Sequence, residues 1–355
     1  MSDCDHTTRH RCSCQSSVCG SQPIGVALQS ESPTVVARLE ESFRASSQAP
    51  GIYIADGHGF VDRVEAVLEP MSLMERRTVR AVPILKDGEI NPWAAAPADA
   101  VLTRLKTAWL PGVLNDERLV FHMQPIVDAQ TLEVLGFEAL MRCGDPGIDA
   151  NPFELIQAAK AHDALLKFDQ TARRQAILQC APKLEGEERL FVNFLPMTVY
   201  DPEVCLRTTF KAADEAGLDV RRIVFEVVES EEFPDIEHLG AILSAYRRAG
   251  ALVALDDLGA GNTAMTYVNR LEPDIVKIDR EIVRDAAADR GDAMLQGMVR
   301  HAKDRGITVL AEGIETEREL AMVRRLGVDL VQGYLIAKPS IEPRRDFSTG
   351  LNAAA

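Results

Sequence analysis

The sequence predicts an α/β protein whose main body is a β/α barrel, and two observations lead to this fold class. From about residue 118 onward, short β-branched runs alternate with amphipathic helical segments, which is typical of a barrel or of an open doubly wound sheet. No Gly-x-Gly-x-x-Gly turn follows the first predicted strand, so an open dinucleotide-binding sheet is disfavoured. The predicted strands are Val120–Val127, Val134–Leu140, Leu190–Phe194, Ile223–Val228, Leu252–Leu255, Ile275–Ile278, Thr308–Leu310 and Leu330–Val331. The predicted helices include Pro152–Ala161, Leu165–Cys180, Pro202–Ala216, Ile236–Ala249, Asp292–Asp304 and Glu317–Leu326.

A small N-terminal α/β module is expected at residues 36–105, ahead of a barrel that we assign to residues 106–355. The apolar runs Gly51–Ala55 and Val79–Leu85 predict strands around a helix near Val61–Leu68. Because this region contains no ligand motif, we expect it to regulate the barrel in response to a signal or partner that the sequence does not identify.

Residues 1–35 are rich in Ser, Cys, Thr and Gln and show no apolar period, so we expect a leader segment. Its first nineteen residues contain four of the seven cysteines of the chain and two histidines: Cys4, Cys12, Cys14, Cys19, His6 and His10. Thiolate and imidazole ligands suit Zn²⁺ or an iron–sulfur cluster, but this spacing matches neither a paired Cys-x-x-Cys zinc motif nor a ferredoxin motif. A metal or redox site and a flexible polar leader both remain open.

The composition excludes several classes of protein. The chain has 355 residues, with 39 Lys plus Arg against 54 Asp plus Glu, which gives a formal net charge of −15. This acidity argues against a binder of nucleic acid polymers, because such a protein needs a basic face. No apolar run approaches the ~20 residues of a membrane span, and the N-terminus lacks the apolar core of a signal peptide. We therefore expect a cytoplasmic protein.

Polar residues end seven consecutive predicted strands, in chain order Glu138, Asn193, Glu226, Asp256-Asp257, Lys277, Glu312 and Gln332. In a β/α barrel these strand ends meet at one face, where active sites are assembled. Five carboxylates on one mouth would repel each other without cations, and oxygen ligands suit Mg²⁺ or Mn²⁺. Two such ions can activate a water and polarise a phosphoryl oxygen. The sequence thus predicts metal-assisted hydrolysis of a phosphate ester, with Lys277 near the water or phosphate and Glu312 as ligand or general base.

The segment Gly136-Phe137-Glu138-Ala139-Leu140-Met141-Arg142 resembles the signature of the EAL-domain cyclic-di-GMP phosphodiesterases. The resemblance covers about residues 115–342, and its other motifs occur in the order of the family. They are Gln124-Pro125-Ile126-Val127, Val192-Asn193, Phe225-Glu226-Val227-Val228-Glu229, Asp256-Asp257-Leu258-Gly259-Ala260-Gly261, Lys277-Ile278-Asp279, Ala311-Glu312-Gly313-Ile314-Glu315 and Gln332-Gly333-Tyr334. So many ordered matches are far more specific than a single three-letter motif.

This resemblance implies a modified TIM-type barrel that hydrolyses cyclic-di-GMP to linear pGpG with two Mg²⁺ or Mn²⁺ ions, and a homodimer formed through the barrel. The implied metal ligands are Glu138, Asn193, Glu226, Asp256 and Asp257. Lys277 would position the water, and Glu312 would be the general base or a further ligand. The implied substrate contacts are Gln124, Arg142 and Gln332. Glu229 would hold the loop after Asp257, while Asp279 and Glu315 would support the metal ligands.

The loop after Asp257 departs from the pattern of the family. Leu258 stands where the family usually has Phe, and Asn262-Thr263-Ala264 replaces an aromatic residue followed by two serines. Cys143 takes the place of an aromatic residue after the arginine of the signature. Because none of these changes removes an implied ligand, we expect an active phosphodiesterase. A cyclic-di-GMP receptor with weak or no turnover, or a protein-interaction scaffold, are the alternatives.

Overall fold

The computed structural model divides the chain into two compact units, Met1–Ala108 and Trp109–Ala355. It describes residues 23–47, 49–86, 90, 94–227, 235–258, 262–288 and 292–347. The cysteines of the predicted N-terminal metal or redox site (Cys4, Cys12, Cys14 and Cys19) lie outside these residues, and so does Glu229. None of the described helices has the length and apolar character needed to cross a membrane.

The first unit is a small α/β module built on an antiparallel sheet. Its elements are β1 (Gly25–Gln29), α1 (Pro33–Ser42), β2 (Arg44–Ala45), β3 (Tyr53–Asp56), α2 (Phe60–Leu68), α3 (Leu73–Arg77), β4 (Arg80–Ile84), β5 (Ala96–Pro97) and α4 (Ala98–Lys106). The strand order is β2-β3-β1-β4-β5. From β1 to β4 the elements follow the order β-α-β-β-α-α-β, which adds the short helix α3 to the β-α-β-β-α-β arrangement of ferredoxin-like folds. Strand β1 lies within the segment that the sequence analysis assigns to the leader, and it is central to this sheet.

Alternation along β1 sends apolar side chains to both faces of this sheet. Val26 and Leu28 pack with residues of α1, α2 and α4, whereas Ala27 joins a smaller cluster with Ile54 and Val82 on the other face. Among the described residues of this unit, Ser30 is the buried polar residue, and every Asp, Glu, Lys, Arg and His side chain is at least partly exposed. The described part of the module therefore has an apolar core and no buried charged side chain.

The second unit is a closed eight-stranded barrel with the strand order β10-β11-β12-β13-β6-β7-β8-β9. Its elements are α5 (Leu110–Asn115), β6 (Leu119–Asp128), β7 (Val134–Cys143), α6 (Pro152–Ala161), α7 (Leu165–Cys180), β8 (Arg189–Phe194), α8 (Pro202–Cys205), α9 (Arg207–Ala216), β9 (Ile223–Val227), α10 (Ile236–Arg248), β10 (Leu252–Leu258), α11 (Asn262–Leu271), β11 (Ile275–Ile278), α12 (Arg280–Ala287), α13 (Asp292–Lys303), β12 (Thr308–Ala311), α14 (Glu317–Leu326) and β13 (Leu330–Val331). The predicted modified barrel is confirmed.

The modification of the barrel is the reversal of its first strand. Strand β6 is antiparallel to both of its neighbours, β7 and β13, whereas all other neighbours are parallel. A tight turn explains the reversal, because the Asp128 carboxylate accepts from the backbone N–H groups of Gln130 and Thr131 at 2.8 Å each. Such a turn joins antiparallel strands directly, without a crossover helix. The reversal places Gln124 opposite Glu138 in the β6–β7 register.

A buried charged network, here called the wall cluster, ties helix α7 to the segment that follows β8. It consists of Asp169, Arg173, Thr198, Thr209 and the backbone N–H of Leu195. The Asp169 carboxylate accepts from Arg173 Nε at 3.0 Å, Arg173 Nη2 at 2.8 Å, Thr198 Oγ1 at 2.7 Å and Leu195 N at 2.9 Å. Arg173 also donates to Thr209 Oγ1. The charges of Asp169 and Arg173 thus balance each other, and neutral hydroxyl and backbone groups complete their hydrogen bonds.

Candidate active site

A layer of polar side chains lies above an apolar layer inside the barrel. The apolar layer comprises Ile126, Phe191, Val224, Ala254, Ile275, Leu310 and Leu330. Two residues further along the parallel strands, the same interior face carries Asn193, Glu226, Asp256, Lys277, Glu312 and Gln332. Gln124 lies two residues before Ile126 because β6 runs in the opposite direction. The period of two in each strand therefore brings the predicted site residues together at the carboxyl end of the barrel.

Lys277 lies at the centre of this polar layer, and its side chain is 1% exposed. Its Nζ atom is 2.5 Å from Glu312 Oε1 and 2.9 Å from Asp256 Oδ1. The same atom is 3.0 Å from Glu226 Oε1 and 3.8 Å from Glu138 Oε2. We call these five residues the mouth cluster. It sets one ammonium against four carboxyl groups, so its charges do not balance when all are ionised.

Amide side chains hold the carboxylate of Glu138 from both sides. Asn193 Nδ2 donates to Oε1 at 2.9 Å, and Gln332 Nε2 donates to Oε2 at 2.8 Å. Gln332 Nε2 also lies 3.2 Å from Gln124 Oε1, and Gln124 Nε2 donates to the carbonyl oxygen of Ala337 at 3.2 Å. Asn193 of β8 and Gln332 at the β13 end therefore fix the β7 carboxylate in one orientation, and Gln124 of β6 supports Gln332.

The mouth cluster shifts the pKa values of its members in opposite directions. Burial opposes ionisation of Glu138, but the Lys277 ammonium and the amide donors together lower its pKa. Burial raises the pKa of Glu226 well above its usual value, and the neighbouring carboxylates add to this rise. Burial, followed by repulsion from Asp256 and Glu138, raises the pKa of Glu312 to about 8. Burial alone would lower the pKa of Lys277, but the surrounding carboxylates raise it well above its usual value.

The donor set of the mouth fits a hard divalent cation. Both oxygens of Glu226 are buried without a hydrogen bond, although Oε1 lies close to Lys277 Nζ. Carboxylate and amide oxygens are the ligands that Mg²⁺ and Mn²⁺ prefer. In the part of the chain that is described, no group of three or more His, Cys, Asp and Glu side chains is already arranged around a common metal position. The Lys277 ammonium stands among these carboxylates instead, and the side chain of Asp257 is not among those described.

A cleft of about 220 Å³ opens beside the mouth cluster. It is lined by Gln124, Glu138, Arg280, Glu312, Gly313, Glu315, Gln332, Gly333 and Tyr334. Two of the predicted substrate-contact residues, Gln124 and Gln332, belong to this lining. The third, Arg142, lies four residues beyond Glu138 on β7, where its Nη1 donates to the carbonyl oxygen of Met141 at 2.7 Å. Arg142 is not part of the described lining.

The two residues predicted to support the metal ligands have different positions. Asp279 caps helix α12, because its Oδ1 accepts from the backbone N–H of Glu281 at 2.6 Å. Glu315 lines the cleft, and its Oε2 pairs with Arg280 Nη2 at 2.8 Å. Sequence reasoning missed Arg280 as a lining residue. Its position directly after the Lys277-Ile278-Asp279 motif was the signal that could have identified it.

The cysteines of the described residues give no sign of a thiolate site. Cys143 is partly buried, Cys180 and Cys205 are buried, and all three are free. Burial raises the pKa of Cys180 to about 12, so its thiol is neutral near pH 7.

Comparisons with known proteins identify relatives of the barrel. Residues 107–339 match the sequence model of the EAL domain. The chain is similar to the cyclic di-GMP phosphodiesterase NbdA of Pseudomonas aeruginosa, with 31% identity over 231 residues that cover 64% of this chain and 29% of NbdA. The chain therefore spans less than a third of that relative.

Two solved structures share the fold of the barrel. A standalone EAL protein from Vibrio cholerae O395, solved with c-di-GMP bound, is 33% identical, with a TM-score of 0.59 and coverage of 64% of this chain and 95% of that one. BlrP1 of Klebsiella pneumoniae, solved as a manganese and cyclic di-GMP complex, is 28% identical, with a TM-score of 0.56 and coverage of 70% and 69%.

Proposed function

Since the match to residues 107–339 makes this chain a member of the EAL domain family, we propose that it hydrolyses cyclic-di-GMP to linear pGpG with the help of divalent cations. The observation that carries this proposal is the mouth cluster, in which one buried ammonium faces four carboxyl groups from separate strands. The name of NbdA and the manganese complex of BlrP1 support the substrate and the type of metal.

The residues that would hold Mg²⁺ or Mn²⁺ are Glu138, Asn193, Glu226, Asp256 and Asp257. The buried oxygens of Glu226, which accept no hydrogen bond, favour its role as a ligand. When bound, divalent cations polarise a phosphoryl oxygen and lower the pKa of water. Glu138 enters this set already oriented by the amides of Asn193 and Gln332.

Glu312 and Lys277 would carry the proton and charge changes of the reaction. Glu312 lines the cleft with one carboxylate oxygen 2.5 Å from Lys277 Nζ, so with cations bound it can accept a proton from the attacking water. The oxygen of that water bonds to phosphorus, the bond from phosphorus to the 3′ oxygen breaks, and the leaving oxygen takes up a proton. Lys277 remains charged and offsets negative charge that develops on the phosphate.

The proposal also names the residues that would contact the substrate, and it leaves assembly and regulation as predictions. Gln124 and Gln332 line the cleft and can meet the nucleotide there, while the planar guanidinium of Arg142 suits a phosphate or a guanine edge. A homodimer through the barrel, a cytoplasmic location and regulation by the N-terminal module stay predictions. Zinc or an iron–sulfur cluster at the N-terminal cysteines also stays a prediction.

Product analysis tests the proposed function. The full chain is incubated with cyclic-di-GMP and either Mn²⁺ or Mg²⁺, and the nucleotides are separated and identified by mass. We expect pGpG from the wild-type protein and none from Glu138→Gln, whereas Lys211→Met, an exposed change on α9, retains activity. Intact nucleotide together with calorimetric binding would favour the receptor alternative. Neither turnover nor binding would contradict both and favour the interaction scaffold.

A further inference from the structure

The loop after β12 carries Glu312 and is fastened to both neighbouring strands. The backbone N–H of Glu312 donates to the carbonyl oxygen of Ile278 at 3.0 Å, which links the loop to β11. The N–H of Ile314 donates to the carbonyl oxygen of Gln332 at 3.0 Å, which links it to the end of β13. The Arg280 side chain, which follows the Lys277 motif in the sequence, lies beside this loop and lines the same cleft.

The aliphatic part of Arg280 fills the space beside Gly313. A Cβ atom at position 313 would lie 2.4 Å from Arg280 Cγ, 2.5 Å from its Cβ and 2.7 Å from its Cδ. Gly313 also has a φ of +63°, in the left-handed region that favours glycine. Position 313 is therefore closed to larger residues by both backbone conformation and the Arg280 side chain.

The guanidinium of Arg280 reaches the far end of the same loop. Its Nη2 pairs with Glu315 Oε2 at 2.8 Å, with side-chain exposures of 49% and 36%. The Asp279 cap fixes the first turn of α12, from which Arg280 extends. Arg280 thus contacts the loop at its second and fourth residues, on either side of Ile314.

We propose that Arg280 is a positioning residue, which with Glu315 braces the loop so that the Glu312 carboxylate stays against Lys277. The catalytic consequence rests on the proposed function, whereas the restraint on the loop does not. Misplacing a reacting group by about 1 Å can lower a rate by about 100-fold. A half-exposed ion pair contributes little to global stability. The brace should therefore affect turnover and local motion rather than the melting temperature.

Kinetics of matched variants test the catalytic part. Arg280→Met keeps an aliphatic side chain and removes the charge, while Glu315→Gln keeps the size of its side chain. For each we expect kcat about 10-fold lower with KM within about twofold, and no further loss in the double variant. Arg280→Lys should recover part of the loss. The control is Arg284→Met, one turn later on α12, where the pair with Glu281 is 3.7 Å long and exposed.

Amide hydrogen exchange tests the brace without reference to catalysis. In Arg280→Met we expect peptides spanning residues 312–316 to exchange about fivefold faster, with an unchanged melting temperature, and no such change in Arg284→Met. If the wild-type protein yields no pGpG, the proposed function fails while this experiment still tests the brace. Equal exchange in the two variants would overturn the proposal. A raised KM with unchanged kcat would also overturn it, because Arg280 would then act by binding substrate.

Discussion

The described residues of the barrel contain two buried clusters of charged side chains, and they differ in how their charges are balanced. In the wall cluster, Asp169 and Arg173 compensate each other, and both carboxylate oxygens of Asp169 accept hydrogen bonds. In the mouth cluster, Lys277 faces four carboxyl groups, and both buried oxygens of Glu226 lack a hydrogen bond. A balanced cluster is complete within the fold, whereas an unbalanced one needs protons or cations from solution. An excess of buried carboxyl groups over cations therefore marks a cluster that can bind cations, whereas a balanced buried ion pair marks one that only supports the fold.

The largest effect on stability should come from breaking the wall cluster. Asp169→Ala leaves the Arg173 guanidinium buried without its carboxylate, so we expect the free energy of unfolding to fall by about 3–5 kcal/mol. Urea denaturation followed by circular dichroism measures this change. Asp214→Ala, on the exposed side of α9, is the control and should alter stability by less than about 0.5 kcal/mol. A similar loss in both variants would remove the distinction between the clusters.

Removing a carboxyl group from the mouth cluster should not lower the free energy of unfolding, in contrast to Asp169→Ala in the wall cluster. Glu226→Gln removes one of four carboxyl groups that crowd around a single ammonium, so we expect unchanged or higher stability in EDTA. Its turnover should fall by more than about 100-fold, since even outer-shell changes at metal sites cost about 10–100-fold. Parallel activity and urea measurements check this. Loss of stability comparable to that of Asp169→Ala would contradict the comparison.

Divalent cations should stabilise the protein through the mouth cluster alone. At about 100 times its dissociation constant, a cation that binds only the folded state adds about 2.7 kcal/mol to stability. We expect Mn²⁺ to raise the melting temperature of the wild-type protein and of Asp169→Asn, and EDTA to reverse the rise. The melting temperature of Glu226→Gln should rise little with Mn²⁺. A rise as large as that of the wild-type protein would mean that the cation binds outside the mouth cluster.

A smaller effect should appear in the pH dependence of the metal-free protein. Glu312 has a pKa of about 8 in the folded state against 4.5 as its ordinary value, so the folded state retains a proton that the unfolded chain releases. The contribution is fully present below the ordinary pKa and is lost as pH rises towards 8. Because nearby carboxyls share this proton, we expect a loss of about 1 kcal/mol between pH 6 and 8. Urea midpoints in EDTA should fall less steeply in Glu312→Gln, and parallel pH profiles would contradict this assignment.

The barrel could be predicted from the sequence because its apolar layer and its polar layer both follow from the alternation of side chains along each strand. Each parallel strand carries an apolar residue and then, two residues later, a polar one, as in Val224 with Glu226 and Ile275 with Lys277. The hydrogen-bonded chain from Gln124 through Gln332 to Glu138 could not be predicted, because it depends on the reversal of β6. That reversal comes from a short turn whose geometry the apolar pattern does not record.

Two other features escaped the sequence analysis for physical reasons. Strand β1 is five residues long and lies next to polar residues, so it shows too little period to separate it from a leader. Arg280 is half exposed at a helix start, where a basic residue is ordinary, and its position against Gly313 depends on two loops that approach each other only in the folded chain.

The closure of the barrel by β13 has a consequence for the timing of synthesis. The Glu138 carboxylate accepts a hydrogen bond from Gln332, which lies 194 residues further along the chain. A ribosome working at about 5–20 residues per second would need roughly 10–40 s to cover that distance. For most of this interval the nascent chain would carry Glu138 with the amide of Asn193 but without that of Gln332, the second of the two amides that orient it. A truncated translation product would thus lack a complete mouth, and the polar layer would be assembled only after the last strand has emerged.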